Sequence, residues 1–235
     1  MCERIIIHRP IERMAAELGA RLRIAREPSP LAGVLDGSQL PVLRYSWKSG
    51  QRSVELMRWG LVAHFMETPK EELKFRLVRA EDVNKRSTFR AAFRRKRCLI
   101  PVDGFCAARL EGDASVTYAF SRRDGSALHL AGVWDSWTNR QTGEQLHSCA
   151  IITTRANALV APIQSRMPAI LDSDLHARWL DEVRTPTLEL WQMLRPVEAQ
   201  GWSMLRVGAS AHVARTARSH VAATRAQASS ACPCG

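Results

Sequence analysis

Cys2 stands directly behind the initiator Met1 and just ahead of a short apolar run, Ile5-Ile6-Ile7. If Met1 is trimmed, Cys2 becomes a 1,2-aminothiol, with two nucleophiles on one carbon frame. Its α-amine has a pKa of about 8 and its thiol about 8.5, so both are partly deprotonated near neutral pH. Both can attack an electrophile. The competing reading is that position 2 tolerates any small residue and that the thiol is idle. A second chemical signal is cationic: Arg90, Arg94, Arg95, Lys96 and Arg97 crowd one short segment. The terminal "CPCG" is a lone CxC without the second pair that a closed zinc site needs, so no metal is expected there. No GxxxxGK[ST], GxGxxG, HExxH or GxSxG occurs, so those phosphate, dinucleotide, zinc and serine-nucleophile devices are not expected, and no cofactor is.

Composition narrows the partner. A net charge of +11 over 235 residues suits a polyanion, and nucleic acid is the usual one. The alternative is charge that serves solubility only. The six cysteines, Cys2, Cys98, Cys106, Cys149, Cys232 and Cys234, are scattered without a CxxC pair, so a disulfide framework is not expected. No run of eighteen apolar residues occurs, so no membrane span is expected. Ile5–Ile7 is too short for the apolar region of a signal peptide, and Arg9, Glu12 and Arg13 come directly after it. The expected location is the cytoplasm.

These groups need a scaffold. Ile11, Met14, Ala15, Leu18 and Leu22 recur at helical spacing and predict a helix over 10–26, with Pro10 in its first turn. Residues 27–38, with two Pro and two Gly, read as a loop. "LPVLRY" and "VELMRWGLV" read as strands, and "TPKEELKF" as a short helical or loop insertion. "STFRAAFRRKR" predicts a helix capped by Ser87 or Thr88, with Phe89, Ala92 and Phe93 on its apolar face. "CLIPVDGFC" reads as a buried strand ending in a turn at Asp103-Gly104. "VTYAFSRRDGSALHLAGVWDSW" has the alternation and DG turn of a hairpin. "HSCAIITTRA" is a further strand, and "SDLHARWLDE" and "PTLELWQML" are short helices. Residues 216–235 hold no acid and read as a basic, disordered tail. Many short strands with few helices predict one α+β domain, 1–215, with a mainly antiparallel core.

Five segments carry a resemblance. "MCER", "RWGLVAHF" at 58–65, "FRAAFRRKR" at 89–97, "RCLIPVDGF" at 97–105 and "TTRANALVAPIQSRMPAIL" at 153–171 together resemble the SRAP family, the SOS-response-associated peptidase-like proteins. The resemblance runs from Met1 to about Val213. It implies a barrel or sandwich fold and recognition of abasic sites in single-stranded DNA. It implies that Cys2, freed by loss of Met1, closes a thiazolidine on the sugar aldehyde. Arg79 and Arg166 match the family's DNA-contacting arginines, Glu81 matches the family Glu, and Trp59 stands beside the family's DNA cleft.

The chain also departs from the family pattern. Leu77 stands where the family has Asn, Ala107 where it has Glu, and Gln164 where it has His. Ala108 and Phe65 replace Trp, Ala63 replaces Pro, and Glu3 replaces the Gly beside Cys2. Ala and Gln do not titrate, so the proton shuttle of imine formation is missing; His64 and His8 are the candidate substitutes. Tryptophans 134, 137, 179, 191 and 202 read as core. Three functions are consistent with these residues. The first is a monomeric single-stranded-DNA protein that traps abasic sites through Cys2, slowly. The second is a non-covalent single-stranded-DNA binder, and the third a cysteine peptidase. DNA contacts are expected from Arg79, Arg166, Trp59, Arg90, Arg94, Arg95 and Arg97. Leu77, Ala107 and Gln164 are expected to converge around Cys2.

Overall fold

The computed structural model describes residues 4–24, 38–69 and 75–211. In chain order its elements are β1 (Arg4–Ile6), α1 (Ile11–Glu17), β2 (Arg21–Arg23), β3 (Gln39–Ser46), β4 (Gln51–Trp59), β5 (Leu77–Arg79), α2 (Ala80–Val83), α3 (Ser87–Arg95), β6 (Arg97–Val102), β7 (Gly104–Glu111), β8 (Ala114–Arg122), β9 (Leu128–Thr138), β10 (Gln145–Arg155), β11 (Arg166–Pro168), α4 (His176–Leu180), α5 (Thr187–Met193) and β12 (Trp202–Ala211). Five strands close into a ring. β10 pairs with β9, β9 with β6, β6 with β3, β3 with β4, and β4 returns to β10 in parallel at Arg58 and Trp59. β2, β5 and β11 extend the ring at its margins. A second sheet, ordered β1-β7-β8-β12, is wholly antiparallel. The fold is α+β with a mainly antiparallel core, as the strand pattern predicts.

Alternation along the strands sorts the side chains into two cores. Val42, Met57, Trp59, Cys98, Ile100, Leu130, Cys149 and Ile151 face Ile5, Phe105, Phe120 and Trp202 of the second sheet. Leu43, Val54, Leu99, Val133, Ala150 and Ile152 face the helices, through Ile11, Val83, Phe89, Phe93, Trp179 and Leu190. Strands buried on both faces read as unbroken apolar runs, which is why β6 and β10 lack polar alternation. Gly132 sits where the ring is tightest: a Cβ there would lie 2.9 Å from Ile100 Cδ1 and 3.1 Å from Ala150 O.

Several expectations need correction. The first helix ends at Glu17 rather than 26. Gly19, at φ +57°, turns the chain, and Arg21–Arg23 join β4 as a parallel strand. Pro10 occupies the N-cap, just ahead of that helix. Arg86, not Ser87 or Thr88, is the N-cap of α3, and no side chain caps it. The segment read as one hairpin is divided between the sheets: β8 pairs with β7 and β12, while β9 pairs with β6 and β10. The hairpin turn is the missed Gly112-Asp113 between β7 and β8, with Gly112 at φ +59°. Gly104 begins β7 rather than forming a turn, and its Cβ would lie 2.5 Å from Phe120 O. β12 is a strand that the sequence pattern does not mark, since Arg206-Val207-Gly208-Ala209-Ser210 lack a β-rich apolar run. Residues 27–37 of the expected 27–38 loop, most of the 68–75 insertion, and the expected tail lie outside the described residues.

Candidate nucleic-acid interface

β1 is held in place by pairing. Arg4 lies opposite Cys106, Ile5 opposite Phe105 and Ile6 opposite Gly104. Asp103 clamps the next turn of chain: its carboxylate accepts the N–H of His8 at 2.5 Å and of Arg9 at 3.1 Å, and Nε of Arg9 at 2.6 Å. Burial raises the Asp103 pKa, but the His8 and Arg9 donors outweigh it and hold the carboxyl below its usual range. Cys2 and Glu3 lie outside the described residues. On the partner strand the residue after Cys106 is Ala107, which is buried. Ala107 shares one apolar cluster with Leu77 and with Ile163, the neighbour of Gln164. Leu77 is held there by pairing with Ile151, and the Gln164 N–H donates to Val160 O. The Gln164 side-chain oxygen is buried without a hydrogen-bond partner among the described residues. Ala107 and Leu77 thus share one cluster, and Gln164 adjoins it through Ile163.

Two strands carry cations to the end of the same cluster. β5 places the exposed Arg79 opposite Thr153, two residues beyond Leu77. β11 places Arg166 opposite Arg155. Arg166 is a positioned guanidinium: it donates to Glu81 Oε1 at 3.2 Å and Oε2 at 2.9 Å, and to the Thr153 carbonyl at 2.6 Å and hydroxyl at 3.2 Å. Burial raises the Glu81 pKa, but the Arg166 hydrogen bond and the charges of Arg166 and Arg155 outweigh it, so Glu81 is an ionised partner rather than a proton donor. Two arginines, 155 and 166, act on this one carboxylate. Arg155 was not singled out in the sequence; the signal was an exposed arginine ending a buried strand.

A family model, SOS response associated peptidase (SRAP), matches residues 1–214. The chain belongs to the SRAP family. Similar curated proteins include the abasic site processing protein YoqW of Bacillus subtilis, 31% identical over 152 residues, covering 64% of this chain and 67% of that protein. The abasic site processing protein HMCES of Gallus gallus is 31% identical over 64% of this chain and 52% of its own, so the match spans about half the length of that relative. Two solved structures share the fold: a protein of Bacteroides thetaiotaomicron (TM-score 0.80, 23% identity, 88% of this chain and 92% of that one) and one of Bordetella bronchiseptica (TM-score 0.74, 24% identity, 88% and 100%).

Within this SRAP chain two of the expected DNA contacts are buried. Arg97 is 1% exposed. Its guanidinium donates to the carbonyls of Trp179, Phe93, Arg94 and Asp181, so it bolts α3 to α4 instead of facing solvent. Burial lowers its pKa to about 10, which leaves it charged. Trp59 is wholly buried, and its indole N–H donates to Arg76 O, so it has no face for a base. Arg90, Arg94 and Arg95 remain on the exposed face of α3. Lys96 is drawn to Asp135, which also accepts His64 Nδ1 at 2.9 Å. The described thiols, Cys98, Cys106 and Cys149, are buried and pushed up by that burial, the reverse of an activated nucleophile. Trp47, not expected from the sequence, is 62% exposed. Its signal was a tryptophan beside lysine in the turn "YSWKSG".

Proposed function

We propose that this protein binds single-stranded DNA and traps the aldehyde of an abasic sugar through Cys2, once Met1 is removed. The observation that carries the reading is the lock of β1 against β7. It holds Arg4 opposite Cys106, next to Ala107, whose cluster also takes in Leu77, and β5 runs on from Leu77 to Arg79. The relatives' names, abasic site processing proteins, supply the substrate class. The arginines hold phosphate, which fixes the strand without reading its sequence. The Cys2 amine adds to the aldehyde carbon, and the carbinolamine loses water to an imine. The thiol then adds to the imine carbon and closes a thiazolidine. One water leaves per adduct, and no oxidant is needed.

The groups that would move protons are absent from the replaced positions. Leu77, Ala107 and Gln164 do not titrate, and Glu81 is held ionised by Arg166. General acid–base help is worth about 10²–10⁴-fold, so the trap is slow. The same replacements favour a second reading, reversible binding with no covalent step. A peptidase ranks behind both: His64 and Asp135 form a base-like pair, but each described thiol is buried away in the core. The protein acts as a cytoplasmic monomer on this reading, and its basic residues 216–235 add to the attraction for phosphate.

Abasic and undamaged oligonucleotides, resolved on a denaturing gel, test the reading. A shifted band with the abasic strand that Cys2→Ala abolishes, while reversible binding persists, is the expected result. Salt-sensitive binding without any band leaves the reversible reading in place. No binding to either strand removes both.

A further inference from the structure

A groove under the turn between β3 and β4 joins exposed aromatic surface to cations. Its cavity of about 410 Å³ is walled by Trp47 and Trp134, with Arg44, Lys48, Arg95 and Lys96 around them. Trp47 is 62% exposed, with Lys48 Nζ 5.8 Å from its ring centre. The Arg44 guanidinium lies 4.7 Å from the Trp134 ring, and Lys96 Nζ lies 5.4 Å from it. Trp134 Nε1 has no hydrogen-bond partner among the described residues. Glu55 balances Arg44, and Asp135 balances Lys96. Among the described residues no carboxylate pairs with Lys48 or Arg95, so these two charges remain for a ligand. The carboxyl in the wall, Glu182, is pushed up to about 7 by burial and so carries only part of a charge at neutral pH.

The groove is separate from the Arg79–Arg166 cluster. The His147 ring touches Trp134 at one end of β10, and Thr153 faces Arg79 further along it. Six residues of strand separate the two, about 20 Å. An exposed indole with unpaired cations beside it fits a unit that is planar and anionic in alternation: a nucleobase with its phosphates. An acidic peptide would use the cations and leave the indole idle.

We propose that this groove is a second contact site for single-stranded nucleic acid, with a base stacked on Trp47 and flanking phosphates on Lys48 and Arg95. It rests on the nucleic-acid reading above and extends it to a surface remote from the Arg79–Arg166 cluster. The full chain is titrated with an undamaged oligothymidylate of about twelve nucleotides, within the usual site size, at several salt concentrations. Trp47→Ala should weaken binding by about 5- to 100-fold, the range for loss of one stacked base, with an unchanged melting temperature because the side chain is exposed. Trp47→Phe should keep most of the affinity but lose part of the indole quenching. Lys48→Ala with Arg95→Ala should flatten the plot of log affinity against log salt by about 0.7 for each phosphate released from the protein. Steep salt dependence in the unaltered protein, with all these variants unchanged, overturns this proposal and leaves the parent reading standing. No binding by the unaltered protein overturns both. A polyglutamate peptide that displaces the oligonucleotide and depends equally on Trp47 overturns the nucleic-acid assignment of the groove.

Discussion

Loss of water from a carbinolamine needs a proton at the departing hydroxyl, and neither Ala107 nor Gln164 titrates to supply one. Crosslinking of abasic DNA should therefore run roughly 10²-fold or more below that of a relative with Glu and His in those places. The two restorations should differ. Gln164 is half-buried, with a side-chain oxygen that lacks a partner among the described residues, so Gln164→His exchanges one unsatisfied polar group for a titrating one. Ala107 is 2% exposed inside an apolar cluster, and Ala107→Glu must bury a carboxyl there. Single-turnover crosslinking should rise more for Gln164→His than for Ala107→Glu. A rate in the unmodified protein equal to that of an intact relative would show that another group carries the proton, with His64 beside Asp135 the first to remove. At the arginine cluster the sign of the charge gives a second expectation. Glu81 pairs with Arg166 and feels the charge of Arg155, so Glu81→Gln removes an anion beside two cations. Affinity for single-stranded DNA should rise and its salt dependence steepen; a fall in affinity would mean that Glu81 serves to position Arg166 rather than to offset it.

Helix α3 separates two roles that its sequence ran together. Arg94 and Arg95 lie on its solvent face, whereas Arg97, at the start of β6, is buried under four carbonyls. Arg90→Ala with Arg94→Ala and Arg95→Ala should leave unfolding nearly unchanged and flatten the salt dependence of DNA binding by about 0.7 for each phosphate no longer neutralised. Arg97→Met should do the reverse: a loss of about 3 kcal/mol or more in denaturant unfolding, because buried acceptors are left unpaired, with the salt slope intact. Equal effects on both measurements would dissolve the distinction. What the sequence carried and what it hid have the same physical origin. Local periodicity marked β3, β4, β6, β10 and α3, whose side chains alternate between core and solvent or run apolar throughout. It could not show that β8 and β9 enter different sheets, because the DG signal at Asp124-Gly125 marks a reversal of direction and not a partner. Nor could it show that Arg97 and Trp59 are buried, since a cation beside four other cations reads as surface until Trp179 is seen to cover it. The Arg79, Glu81 and Arg166 trio was legible by type, but its joining through Thr153 needs β5 and β11 to meet β10.

For the molecule as a whole, the two sheets and the helices enclose charges that answer to pH. His129 and His176 meet edge to face at 4.5 Å between ring centres. Burial, with a smaller contribution from the neighbouring His176 and Arg9, lowers the His129 pKa from 6.5 to about 4, and burial lowers that of His176. Both are therefore neutral in the folded chain at pH 7. Between pH 6.5 and 4 the unfolded chain takes up protons that the folded chain refuses, so stability falls as the pH falls through that window. His129 alone accounts for at most about 3 kcal/mol. Denaturant midpoints from about pH 7.5 to about pH 4.5 should show this slope, and His129→Gln should reduce it; an unchanged slope would assign the loss to the carboxylates instead. The lock on β1 has a further consequence, in time. His8 and Arg9 reach Asp103 across 95 and 94 residues. A ribosome adds roughly 5–20 residues each second, so β1 waits some 5–20 seconds for its partner strand to be made. Throughout that delay β1 has no sheet to join. Under the proposed trapping reaction, which needs Met1 removed, that interval, set by the distance along the message between the codons for β1 and β7, is the time in which β1 is not yet locked.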